Sequence, residues 1–232
     1  VSDDRRRQLA LKFPAPQRCT LANFEAGPNG EIVDALGKCG HGAFAALWLV
    51  GETGAGKSHL LRGTCHAAVA AGLTAAYLPL DVRAAGTDVF DGLEAFAVVA
   101  IDDTERWLGH RLWEEALLGL YQRLFDRRSA LLFASTLTPG DLDVGLPDLA
   151  SRLRAAQVYT LRPLADTDRA RAIERLAAER GLELSGDVVA FILRRVPRRM
   201  DELLGIFERL DRGALAQQRR VTIPLVKEVL GL

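Results

Sequence analysis

Ala45-Ala46-Leu47-Trp48-Leu49-Val50 runs directly into Gly51-Glu52-Thr53-Gly54-Ala55-Gly56-Lys57-Ser58, and a helical stretch opens at Lys57. The octet satisfies GxxxxGK[ST], with an extra glycine at 54. An apolar strand before it and a helix after it are the context that a phosphate-binding loop requires. Glycines let the backbone wrap a phosphate chain with its N–H groups turned inward. The helix N-terminus adds partial positive charge. Lys57 is placed to neutralise outer phosphates, and the Ser58 hydroxyl to ligate Mg2+. A chance glycine loop would produce the full pattern in roughly one chain per hundred of this size. Lysine is scarce here, occurring only at Lys12, Lys38, Lys57 and Lys227.

Working outward, five apolar runs punctuate the first two thirds of the chain: Phe44–Val50, Thr74–Leu80, Phe96–Asp102, Ala130–Ser135 and Gln157–Leu161. Segments of helical spacing lie between most of them, which predicts an α/β fold with a parallel sheet of five strands. After Pro163 the pattern is helical only, over 166–180, 185–196, 198–214 and 222–230. Ser185 and Thr222 stand at N-cap positions and Gly181 at a C-cap position. The expected organisation is an arm at 1–16, an α/β domain at 17–162 and a small all-helical lid domain at 163–232.

Val98-Val99-Ala100-Ile101 ends in Asp102 and Asp103. A buried strand ending in a carboxylate beside the phosphate loop supplies a magnesium-site acid at Asp102. Asp103 then lies where a base orients water. The fourth strand ends in Ser135 and Thr136; Thr136 is the candidate for contact with the γ-phosphate region, with Ser135 its close alternative. In Gly145–Arg154 (GLPDLASRLR), Leu149 and Leu153 can face the core while Arg152 points elsewhere. By spacing alone, Arg152 is either one more charge on a solvated face or a finger for a neighbour's nucleotide. The same two readings stand open for Arg198 and Arg199 in VPRRMDELL.

Composition narrows the classes. The 232 residues are 49% hydrophobic and 26% charged, the balance of a globular protein. Lys plus Arg and Asp plus Glu are both 30, so the formal net charge is zero. There is no global pull toward DNA or acidic membranes. No apolar run reaches the roughly 18 residues of a membrane span. Cys19, Cys39 and Cys65 form no CxxC pair, and Cys39, His41, Cys65 and His66 lack the spacing of a structural zinc site. A cytoplasmic protein is expected.

These elements together resemble the initiator-clade AAA+ P-loop NTPases. Thr20–Asn29 (TLANFEAGPN) is similar to the segment before the P-loop in the replication initiator DnaA. GETGAGKSHLL, with His59 after the serine, is typical of that clade. GLPDLASRLR resembles its arginine-finger box and VPRRMDELL its sensor-2 segment. The initiator continues into a helix-turn-helix DNA-binding domain, whereas this sequence is expected to end with its lid at Leu232. Gln8, Leu9, Leu11 and Phe13, in QLALKF, resemble the hexapeptide that docks into the bacterial sliding clamp by placing Leu and an aromatic ring in an apolar pocket. The combination resembles the Hda family, the regulatory inactivators of DnaA, and Thr222–Glu228 (TIPLVKE) adds to that likeness.

The resemblance implies the following. ADP or ATP with Mg2+ is bound by Leu21, Phe24, Gly51, Glu52, Thr53, Gly54, Ala55, Gly56, Lys57, Ser58, His59 and Arg198, with Asp102 and Ser58 toward the metal. Partners are DnaA and the sliding clamp (the DNA polymerase III beta subunit); self-association is left open, and neither sequence-specific DNA binding nor a membrane is expected. Arg152 acts in trans on DnaA's ATP. Thr136 stands where the initiator would carry an acidic residue, so the chain's own turnover should be weak. The alternative is a DnaA-related adaptor or loader acting on a replicative helicase or on DNA.

Overall fold

A computed structural model describes residues 19–79, 86–195, 202–203, 205–207, 209–210 and 221–231. The sheet strands are β1 (Ala46–Val50), β2 (Ala75–Leu78), β3 (Val98–Ile101), β4 (Ala130–Ser135) and β5 (Gln157–Thr160). All pairs are parallel, in the order β2-β3-β4-β1-β5. The central strands β3 and β4 are buried at every position, as continuous apolar runs require when both sheet faces are covered. Edge strand β5 is mostly exposed, and its Gln-Val-Tyr-Thr composition fits an edge.

Four of the strands, all but β4, are shorter than their apolar runs. Phe44 lies outside β1, and its ring packs edge-on against Phe125 at 5.2 Å. β3 ends at Ile101, one residue before Asp102, because the chain turns there.

The helices are α1 (Gly30–Gly40), α2 (Lys57–Ala70), α3 (Arg111–Asp126), α4 (Pro147–Arg154), α5 (Asp166–Glu179), α6 (Gly186–Arg195) and α7 (Ile223–Leu230). α3 buries Glu114, Leu117, Leu120, Tyr121 and Leu124, a stripe at helical spacing. The chain divides into two compact units. One contains Glu31–Gly51 and Lys57–Leu161, with 19–22 before them. Its core includes Trp48, Ile101, Leu117, Leu120 and Phe133.

The second unit contains Asn23–Gly30, Glu52–Gly56 and the residues from Arg162 onward. Its core is built from Ile173, Val188, Val189, Ile192, Leu203, Phe207 and Val226. The Asn23–Gly30 segment is fastened there by specific contacts. The Asn29 amide donates to the Arg162 carbonyl at 3.0 Å and accepts from the Arg162 N–H at 2.8 Å. Arg175 pairs with Glu25 at 2.9 Å. Gly181 follows α5 in the left-handed region (φ +67°), as a C-cap glycine does. Thr222 precedes α7 at the N-cap, but its side chain makes no capping hydrogen bond. Among the described residues no helix is long and apolar enough to cross a membrane.

Candidate nucleotide-binding site

The sheet order brings three strand ends together. β4 lies between β1 and β3, with Val50 opposite Ser135 and Ile101 opposite Phe133. Gly51, Asp102 and Thr136, each the next residue along, therefore emerge at one edge. Gly51 N–H donates to the Ser135 carbonyl at 3.2 Å, extending β1 by one rung into the loop. Carboxyl ends of parallel strands are where such folds place ligands.

The loop needs its glycines. Gly54 and Gly56 have φ of +79° and +96°. A Cβ on Gly56 would also lie 2.8 Å from Phe24 Cε2. Glu52, Thr53 and Ser58 are exposed, and Gly54 and Ala55 half-buried. Lys57 opens α2, is 7% exposed, and donates from Nζ to the Gly51 carbonyl at 2.6 Å. Burial pulls its pKa down, opposed by the negative Glu105, Asp102 and Asp103. Behind α2, His59 meets the Thr20 carbonyl at 3.0 Å. Gly63 admits the 20–21 backbone so closely that a Cβ would come within 3.0 Å of Leu21 N. This places Leu21 against α2.

Asp102 is 3% exposed. Its Oδ2 accepts from the Tyr77 hydroxyl at 2.6 Å and its Oδ1 from the Asp103 N–H at 3.0 Å. Its carbonyl accepts from Trp107 Nε1 at 2.9 Å, and Trp107 packs on Phe90 and Trp113 at 5.4 and 5.0 Å. Asp103 sits at φ +47°, uncommon for a residue with a side chain. Burial, then the neighbouring Asp102 and Glu105, raise its pKa.

Glu105 is absent from the sequence reading. Its Oε1 accepts from the Thr136 hydroxyl at 2.8 Å and the Thr136 N–H at 3.1 Å. Burial would raise its pKa, but the hydrogen bonds led by Thr136 prevail and lower it. An acidic group thus stands beside Thr136. Ser135 is fully buried, and its hydroxyl accepts from the Leu137 N–H at 2.9 Å. Thr136 is exposed.

On α4, Leu149 and Leu153 are fully buried and Arg152 is partly exposed. Arg152 Nε pairs with Asp148 at 3.1 Å, and the guanidinium lies 5.7 Å over the Tyr121 ring. Arg154 is exposed.

Residues 166–230 match the family model described as Hda, lid domain. The fold is similar to domain III of the replication initiation protein DnaA of Thermotoga maritima, with a TM-score of 0.81 at 21% identity over 94% of this chain and 98% of that one. The chain thus carries a segment of the Hda lid family, 166–230, on a P-loop NTPase fold like that of DnaA domain III. It is also similar to AMPPCP-bound DnaA from Aquifex aeolicus (TM-score 0.70, 19% identity, 89% of this chain and 69% of that one). The Thermotoga maritima RuvB Holliday junction branch migration motor is more distant (0.61, 17%, 87% and 68%).

The residues present at the strand ends fit a phosphate chain. The loop supplies left-handed glycines, a helix start and a buried lysine that donates to the neutral Gly51 carbonyl. Asp102 and Ser58 would hold Mg2+, and each Asp102 oxygen accepts one hydrogen bond while keeping a second lone pair. Among the described residues no group of three or more His, Cys, Asp or Glu is placed to hold a metal. A magnesium ion there would complete its shell with phosphate and water oxygens. Gln8, Leu9, Leu11, Phe13, Arg198 and Arg199 lie outside the described residues.

Proposed function

We infer that this protein binds an adenine nucleotide through Gly51–Ser58 and acts on ATP-bound DnaA, accelerating that protein's ATP hydrolysis and so limiting re-initiation of replication. The observation that carries the reading is the match of 166–230 to an Hda lid, on a chain whose fold is DnaA-like. A partly exposed arginine on α4 is of the type that serves a neighbour's phosphates when supplied in trans. Arg152 is that residue in this reading, and Asp103 and Thr136 serve the chain's own weaker turnover. The QLALKF arm tethers the protein to the DNA-loaded sliding clamp. Tethering raises the local concentration of regulator near newly replicated DNA.

The test is single-turnover hydrolysis by ATP-loaded DnaA, with and without this protein, on DNA carrying the clamp or free of it. Acceleration that depends on both protein and clamp is expected. Binding to a replicative helicase with no effect on DnaA's ATP would overturn the reading in favour of a loader or adaptor.

A further inference from the structure

We propose that Glu114 is a positioning residue for Arg152: its buried carboxylate fixes the point at which α4 begins. The proposal rests on the reading of Arg152 as a residue that acts in trans.

Glu114 and Glu115 are adjacent in the sequence. In the structure they part. Glu115 is exposed and pairs with Arg111 at 2.8 Å. Glu114 is 1% exposed and occupies the core-facing stripe of α3 with Leu117, Tyr121 and Leu124. A carboxylate in such a slot is costly unless hydrogen-bonded throughout. All its partners are backbone N–H groups. Oε1 accepts from Gly109 at 3.0 Å and Gly145 at 3.1 Å, and Oε2 accepts from Leu146 at 2.9 Å.

Leu146 is the N-cap residue of α4, and it supplies no side-chain cap. The residues that lead into the helix are held from α3 instead. Gly145 leaves little room for anything larger, because a Cβ would lie 3.2 Å from Glu114 Oε2. The third donor, Gly109, closes the turn that begins at Asp102 and passes through Trp107, whose indole holds the Asp102 carbonyl. One carboxylate therefore ties the acid-bearing strand end, α3 and the arginine-bearing helix to a common point.

α4 is only eight residues long. Arg152 lies six residues past Leu146, about 9 Å along the axis. A small tilt at the start shifts the guanidinium by an ångström or more, and misplacement of that size can cost on the order of a hundredfold in rate.

The experiment compares Glu114→Gln, Arg152→Ala and the double variant with the wild-type full chain, in single-turnover hydrolysis by ATP-loaded DnaA on clamp-loaded DNA. Gln keeps the shape but sets an N–H against at least one of the three donors. The maximal rate should fall at least about tenfold, with the half-saturating protein concentration changed less than about twofold. The double variant should be no slower than Arg152→Ala, since a residue acting through Arg152 has nothing left to act on. Additive loss, or an unchanged maximal rate, overturns the proposal.

Amide exchange on the isolated full chain decides independently of DnaA. Glu114→Gln should speed exchange at Gly109, Gly145 and Leu146 and leave β1 and β4 protected; uniform or absent change overturns it. If wild-type protein gives no acceleration, the proposed function fails, and the exchange result still decides whether Glu114 holds the helix start. Should Glu114→Gln not fold, Gly145→Ala presses on the same carboxylate from the loop, and the same fall in maximal rate is expected. An unaltered rate there overturns the proposal.

Discussion

The Tyr77 hydroxyl donates to Asp102 Oδ2 at 2.6 Å, joining β2 to the carboxylate that ends β3. The Arg62 guanidinium lies 4.8 Å over the same ring. Burial first, and then the adjacent Asp102, push the Tyr77 phenol far above its ordinary range, so it remains a proton donor at any physiological pH. Tyr77→Phe removes one of the two hydrogen bonds that hold a nearly buried carboxylate. The expected loss is about 1–3 kcal/mol of stability, read from the urea midpoint at neutral pH. An unchanged midpoint would show that the hydroxyl does not hold Asp102.

The loop makes its own forecast. Lys57→Ala should weaken ADP binding at least tenfold, equivalent to about 1.4 kcal/mol. Gly56→Ala forces a side chain to φ +96° and against Phe24. It should also destabilise the fold, by about 1–3 kcal/mol. Calorimetric titration with ADP, paired with thermal melts, separates the two effects. Native affinity in a folded Lys57→Ala protein contradicts the assignment.

Alkaline pH should unfold the protein through two thiols. Burial raises Cys39 to about 11 and Cys65 to about 12, from an ordinary 9.0. Below pH 9 both are protonated in folded and unfolded chains alike, and their contribution is fully present. As pH rises from 9 toward 11 the unfolded chain releases protons that the folded chain retains. Stability then falls, by up to about 2.7 kcal/mol per pH unit for the pair. Replacing Cys39 and Cys65 by Ala should flatten that part of the stability–pH curve. Equal slopes in the two proteins would show that the thiols are not buried as described.

These cases mark what was legible in the sequence. The P-loop was, because strand, glycines, lysine and helix are contiguous and each carries a local reason. Asp102 was, because a fully buried apolar strand that ends in an acid is unusual. Tyr77, Glu105 and Glu114 were not. Apart from Gly109, which is close in sequence to Glu114, their partners lie 25 to 32 residues away and meet them through the sheet order and the packing of α3. Nothing local distinguishes Glu114 from Glu115. Asn29 is a more extreme case, bonded to a residue 133 positions on. Ser135 and Thr136 were interchangeable as letters; in the structure the first is sealed inside, and the second is exposed with its hydroxyl and N–H both donating to Glu105.

The arm can be tested apart from the core. Leu11→Ala with Phe13→Ala removes both apolar anchors of QLALKF. Clamp affinity should fall at least about a hundredfold, roughly 2.7 kcal/mol, as expected for two anchor residues. ADP affinity and melting temperature should stay as in the wild type. Surface plasmon resonance on immobilised clamp reads the first quantity. Retained affinity would remove the clamp from the list of partners.

Arg152 has contacts that are local and replaceable. Its ion pair with Asp148 spans one helical turn, with side chains 32% and 55% exposed, and such pairs contribute about 0.2–1 kcal/mol. The Tyr121 ring adds a comparable amount. Arg152→Ala should therefore cost about 1 kcal/mol of stability and leave ADP and clamp binding unchanged. Its effect on ATP-loaded DnaA should be far larger, on the order of a thousandfold loss of stimulated hydrolysis, because a guanidinium at a γ-phosphate stabilises charge that develops only in the transition state. Arg152→Lys keeps the charge but not the planar fork of donors, so it should remain close to the Ala variant. Asp148→Ala should stimulate at least as well as wild type, since the carboxylate holds the guanidinium only while no phosphate competes for it. A low rate for Asp148→Ala would mean that the ion pair sets the working position of Arg152. Near-wild-type stimulation by Arg152→Ala would transfer the role to Arg154, exposed two residues further along α4. Loss of stimulation together with lost ADP or clamp binding would make Arg152 a structural residue.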